Sequence, residues 1–227
     1  SLGERSIKNI IHLLEYQGVR IFSLSEDSLN LDAYSFWRDD LPYIFLNTTE
    51  SAERRRMDCA HELGHLVLHG RGGARGREAE KEANQFGSAF LMPRSSLIAY
   101  APRGGTLRHV IRAKKRWSVS ASNLVYRMRE LDMLTEWQAR TLFIEISRRY
   151  GRTEPDGGRG ETSQVLAQVF NSLREDKIGI GRITRELFIY AEELSSMVFG
   201  LVLTALKGQS RSKGLATGND KPHLEIV

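Results

Sequence analysis

Apolar and polar positions alternate in two different rhythms along the chain, a mixed one at the front and a helical one afterwards. Ile7, Ile10, Ile11 and Leu14 fall on one face at helical spacing and predict a helix over residues 6–17, which Gly18 ends. Residues 19–24 are rich in β-branched and aromatic side chains and predict a strand. A polar connection over 25–31 leads to two short apolar runs, 33–37 and 42–47, which predict a hairpin around Arg38-Asp39-Asp40-Leu41. Pro42 suits a strand start or an edge, since it has no N–H to give to a ladder. An edge strand can hold an extended peptide through main-chain hydrogen bonds, and 43–46 or the facing 34–37 is the candidate for that role.

The next helix carries the stretch 57–69, with Cys59, Leu63, Leu66 and Val67 inward and Thr48, Thr49 or Ser51 as its cap. Arg54, Arg55 and Arg56 stand in its first turns, where positive charge opposes the macrodipole; they either meet an acidic substrate or fan out into water. A glycine- and arginine-rich loop over 70–76, expected to be mobile, precedes a helix over 78–92 that Pro93 stops. Helices follow over 106–117, 121–131 and 135–150, with Leu124, Val125 and Met128 inward and Ser118 or Ser120 as a cap. Two short helices joined at 118–120 resemble a helix-turn-helix, with Asn123, Arg127 and Arg129 on its outer face. Residues 151–160 read as a Gly/Pro/charged linker and mark the best boundary. Beyond them, helices are predicted over 161–173, 183–190 and 192–206, the first with Val165, Leu166, Val169, Phe170 and Leu173 on one face. The tail 208–227 has no periodicity and is expected to be disordered.

Composition narrows the class. A chain of 227 residues with 41% hydrophobic and 27% charged residues is that of a soluble globular protein of one or two domains. A single cysteine rules out a disulfide framework and suits a reducing cytoplasm, with Cys59 a buried thiol. No apolar leader opens the sequence, and the longest apolar stretch, 197–206, is too short for a bilayer, so no membrane role is expected. The first residue is not Met, which suggests trimming at the front. Charge is uneven. Residues 1–100 hold 12 Lys and Arg against 14 Asp and Glu, 101–150 hold 11 against 4, and 151–227 hold 10 against 10. The basic middle segment either faces DNA or another acidic partner through Lys114, Lys115 and Arg116, or is a solvated face.

The candidate chemistry lies in His61-Glu62-Leu63-Gly64-His65. Two histidines four apart on a helix project from one face, so both imidazoles can reach one Zn²⁺ at about 2.0–2.1 Å. Glu62 follows the first ligand directly and stands beside the ion's water rather than on the ion, the place of a general base. Asp58 is a candidate to orient an imidazole from behind. A catalytic zinc needs a third protein ligand. The metzincin position, six residues after His65, is Arg71, which excludes that class. His69 lies two turns from His61, about 12 Å along the axis, too far to share the ion, and reads as a helix-end or outer residue. The following helix offers Glu78, Glu80 and Glu82.

His-Glu-Leu-Gly-His, then Glu-x-x-Ala-Asn-x-Phe over 80–86, then Leu91-Met92-Pro93, resembles the ImmA/IrrE family of zinc metallopeptidases over residues 6–150. The resemblance implies that Glu80 is the third ligand, with Glu82 as the alternative; Asn84, one turn on, would steady the Glu80 carboxylate. Gly87 stands where the family usually has Ala. The expected fold is α+β: a zincin-like peptidase domain over 1–100, a basic helix-turn-helix-like region over 101–150, a C-terminal helical region over 151–207 and the tail 208–227. The resemblance also implies that a helix-turn-helix domain often precedes the peptidase and that the substrate is a transcriptional repressor, cut to control gene expression in stress or mobile elements. Tyr100 and His109 are candidates to stabilise the oxyanion. The alternative is a DNA-binding regulator, or an antitoxin-like binding protein, whose metal site is structural or idle.

Overall fold

The computed structural model describes residues 6–24, 31–70, 76–102, 105–151, 153–198 and 200–202. The fold is α+β. Helix α1 (Ile10–Tyr16) starts where Asn9 accepts a hydrogen bond from the His12 N–H, four residues later than periodicity alone sets it. Strands β1 (Arg20–Ser23), β2 (Ala33–Arg38) and β3 (Leu41–Leu46) form one sheet in the order β1-β3-β2. β3 runs parallel to β1 and antiparallel to β2. The hairpin turns on Asp39 and Asp40, both at positive φ (50° and 58°), which gives a tight two-residue turn whose twist matches the strands. Pro42 pairs with Trp37, just ahead of the 43–46 stretch that β1 also covers, so it blocks no ladder. Of the two candidates for a peptide-binding edge, 43–46 is excluded because β3 is central. The other candidate, 34–37, lies on β2, an edge strand among the described residues.

Helix α2 (Ala52–Gly64) starts at Ser51, one of the three expected caps, which accepts from the Arg54 N–H at 3.2 Å. It continues into a π-helical turn, His65–His69. That change of winding rotates the last residues out of the α phase, and Val67, expected inward, is 60% exposed. Helix α3 (Arg77–Leu91) ends before Pro93 as predicted. A helix that periodicity did not suggest, α4 (Arg94–Tyr100), follows at once. Then come α5 (Leu107–Lys114), α6 (Ala121–Glu130) capped by Ser120, and α7 (Glu136–Tyr150), which opens with a capping box between Thr135 and Gln138.

One buried cluster runs from Ile7 through Leu97, Leu107, Trp117 and Leu124 to Ile146 and takes in Leu201. It crosses residue 100 without a break, so the expected units 1–100 and 101–150 share a core. Residues 153–160, within the stretch expected as a linker, are also docked. Gly158 N donates to Glu53 at 2.9 Å and the Ala121 N–H donates to Glu154 at 2.9 Å. Just beyond it, Glu161 accepts from the Ile10 N–H at 2.6 Å and pairs with buried Arg56. Its polar composition reads as solvated until those partners, more than thirty residues away, are in place.

The last helices, α8 (Gln164–Glu175), α9 (Ile180–Leu187) and α10 (Ala191–Val198), enclose a small second cluster around Phe170, Leu194 and Val198. Val165 and Val169, expected on the apolar face of α8, stay about half exposed. Among the described residues no helix is long and apolar enough to cross a membrane. Most of the predicted connection 25–31, most of the loop 70–76 and the tail 208–227 lie outside the described residues. Cys59 is fully buried and burial pushes its thiol pKa up. Native protein is therefore expected to react with a thiol reagent only after unfolding; fast labelling of the folded chain contradicts the packing.

Candidate metal centre

α2 and α3 cross closely, and the site is built at that crossing. A Cβ at Gly87 would stand 3.0 Å from the His61 backbone nitrogen and 3.1 Å from the Ala60 carbonyl carbon, so glycine lets α3 lie tight on α2. An alanine at this position would need a slightly wider crossing. On the cleft side, His61 Nε2 and His65 Nε2 are 3.0 Å apart. Glu80 comes up from α3, with one carboxylate oxygen 3.3 Å from His61 Nε2 and the other 3.5 Å from His65 Nε2. These three residues are the group, among the described residues, whose ligand atoms lie within 4.8 Å of one another as a metal site requires.

Neighbouring groups orient the imidazoles. Asn84 donates its side-chain N–H to the Glu80 carbonyl at 2.8 Å, which turns its Oδ1 toward His61 Nδ1 at 3.1 Å. The acceptor oxygen keeps a proton on Nδ1 and leaves the His61 Nε2 lone pair free. Asn84 therefore steadies His61 and the Glu80 backbone, not the Glu80 carboxylate as expected. Behind His65 stand His69, with Nδ1 to Nδ1 at 3.0 Å, and Glu82, 2.9 Å from His69 Nε2. Glu82, the alternative ligand, is thus turned away to His69. Burial, and then the neighbouring His61, lower the His65 pKa and favour its neutral, ligating form.

Glu62 does not join the ligands. Its Oε2 accepts from Ser35 Oγ on β2 at 2.6 Å. Burial raises its pKa, while the Ser35 hydrogen bond and His61 pull it down. A carboxylate with a raised pKa is a stronger base than a free one. Sequence reading missed Ser35. The alternation in β2 puts Ser35 and Trp37 on one face, but nothing local says that this face meets α2. β2, Glu62, His65, His69, Gly70 and Glu80 line a cleft of about 510 Å³. Tyr100 and His109 are absent from that lining: the Arg116 guanidinium covers the Tyr100 ring at 3.3 Å, and His109 bonds Thr106 at 2.9 Å.

Asp58 does not orient a histidine either. Its Oδ2 is buried without a hydrogen-bond partner, and burial, reinforced by Asp32, raises its pKa to about 7. The folded chain therefore holds a proton that the unfolded chain has lost above about pH 4, and stability falls as pH rises from there toward 7. Asp58→Asn removes this cost. Urea unfolding of the metal-free protein should show a gain on the order of 2–4 kcal/mol at pH 8, most of it gone at pH 5. An equal gain at both values contradicts the buried neutral carboxyl.

Of the residues nominated for DNA, Lys114 and Arg127 are buried and need correction. Lys114 is 1% exposed and lies 3.1 Å from Glu53 and 3.0 Å from Glu154. Arg127 is buried, pairs with Glu130 at 2.6 Å and donates to the Met92 carbonyl. Lys114 points inward because two carboxylates distant in sequence claim it, and Arg127 because the helix-end carbonyl of Met92 does. Lys115 pairs with Asp156 at 2.8 Å, Arg129 with Glu136 at 3.4 Å, and Arg116 covers Tyr100, while Asn123 is partly buried. Arg54, Arg55 and Arg56 each make contacts within the fold. Arg54 pairs with Asp32 at 2.8 Å, Arg55 is half buried and packs on Gly160, and Arg56 donates to the Ile7 and Trp117 carbonyls besides Glu161.

A comparison with curated proteins found no match. The sequence model of the peptidase family described as the IrrE N-terminal-like domain matches residues 14–129, a span that holds the whole sheet, both ligand helices and all three clustered side chains. With more than half of its length covered by that match, and the histidine pair and glutamate brought together on two crossing helices, the chain belongs to the IrrE N-terminal-like peptidase family.

Proposed function

We propose that the chain is a zinc-dependent endopeptidase whose substrate is a helix-turn-helix transcriptional repressor. The observation that carries the reading is the convergence of His61 Nε2, His65 Nε2 and the Glu80 carboxylate, with Glu62 held apart from them by Ser35. Two ring lone pairs and a carboxylate so close repel one another unless a cation lies among them. Two imidazoles and one carboxylate are the donor set of catalytic zinc sites with a fourth position open. His61, His65 and Glu80 would hold the ion, which when bound supplies Lewis acidity to the scissile carbonyl and to water.

The chain's own groups do the remaining work. The free edge of β2 aligns an extended segment along the cleft through main-chain hydrogen bonds. Glu62 takes the proton of the attacking water and passes it to the leaving amine. Ser35 fixes the carboxylate so that one oxygen keeps a constant aim. The repressor as substrate rests on the resemblance to the ImmA/IrrE peptidases, and its cut would release gene expression in stress or mobile-element control.

Co-expression with helix-turn-helix repressors encoded in neighbouring genes tests the reading. One of them is expected to be cut at a defined bond, and the cut is expected to stop when zinc is chelated. Intact repressors throughout, alongside zinc-loaded protein, would remove the repressor from the proposal.

A further inference from the structure

We propose that His69 and Glu82 are positioning residues for His65: in series, they fix the tautomer that leaves its Nε2 bare toward the ligand cluster. The inference rests on the metal-centre reading above. A carboxylate only accepts, so Glu82 takes the N–H of His69 Nε2 at 2.9 Å. The other nitrogen of a neutral imidazole is then an acceptor. His69 Nδ1 faces His65 Nδ1 at 3.0 Å and accepts from it. His65 therefore carries its proton on Nδ1 and offers Nε2, the atom that faces His61 and Glu80.

Tertiary structure holds this series in place. The His69 side chain is only 9% exposed, so water does not replace its partners. Its position beneath His65 comes from the π-helical turn, whose i→i+5 winding is unusual and recurs at functional sites. β2 clamps that turn: the Trp37 indole N–H donates to the Leu66 carbonyl at 3.1 Å. A Cβ at Gly70 would stand 2.4 Å from the same indole nitrogen, so the approach depends on glycine there. α3 serves both layers, since Glu80 meets the ligand cluster while Glu82, two residues on, turns to His69.

Zinc affinity of the purified chain, measured by competition with a chromophoric chelator, tests the role without any substrate. His69→Leu and Glu82→Ala should each weaken zinc binding about 10–100-fold. His69→Gln should recover most of the loss, because its amide oxygen accepts from His65 and its amide N–H donates to Glu82. A packing role alone gives no such rescue. Glu82 is 43% exposed, so Glu82→Ala carries the test even if His69→Leu does not fold. Urea midpoints of the metal-free variants report folding separately. Wild-type affinity in both His69→Leu and Glu82→Ala, or a His69→Gln as weak as His69→Leu, overturns the proposal while His61→Ala still loses zinc. Wild-type affinity in His61→Ala as well removes the metal centre, and the positioning role with it.

Discussion

Glu62→Gln is expected to keep zinc and fold and to lower peptide-bond hydrolysis by about 10²–10⁴-fold. Glutamine preserves the shape of the side chain, and its amide oxygen can still accept from Ser35 Oγ, so the contact between β2 and α2 survives. The ligand cluster of His61, His65 and Glu80 does not include Glu62, so metal content should match the wild type. What is lost is the proton acceptor beside the attacking water. The readout is cleavage of the same repressor by the two proteins at equal zinc loading. Equal rates would show that another residue, or a contaminant, performs the reaction. A variant without zinc would show instead that Glu62 is a ligand.

Lys114→Ala is expected to destabilise the fold by about 3–5 kcal/mol. The ammonium lies between Glu53 and Glu154, with side-chain exposures of 1%, 5% and 14%. Removing it leaves two buried carboxylates facing each other without a counterion, which costs more than the pairing itself contributes. The Glu53 and Glu154 carboxylates also accept from the Gly158 and Ala121 N–H groups, so the loss should spread to the docked 153–161 stretch. Urea unfolding measures it. Adding Glu53→Gln and Glu154→Gln should restore a large part, since the uncompensated charge goes with them. A soluble, unchanged Lys114→Ala with impaired DNA binding would reverse the assignment and put the side chain back on an outer face.

The sequence by itself determined what depends on neighbours within a turn or a hairpin. Helical winding alone sets His61 and His65 on one face with Glu62 beside them. Alternation and the Asp39-Asp40 pair specify the β2–β3 hairpin, because its register is fixed by a two-residue turn. Glu80, by contrast, is singled out among Glu78, Glu80 and Glu82 only by the family resemblance, since periodicity does not say which face of α3 meets α2. Tertiary structure decided what depends on partners far along the chain. Ser35 reaches Glu62 across 27 residues, and Lys114 reaches Glu53 across 61. A lysine in a basic run and a serine in a strand look solvent-facing until those partners arrive. The same holds for 153–161, whose polar residues read as a linker and act as ligands for buried arginine and lysine. The π-helical turn is the sharpest case. Its sequence, His65-Leu66-Val67-Leu68-His69, continues the α pattern, and an α reading places His69 merely outside the site. With Trp37 on the Leu66 carbonyl, the winding is π, and His69 meets both His65 and Glu82. Local propensity cannot encode that choice, because the hydrogen bond that accompanies it comes from a strand 29 residues earlier.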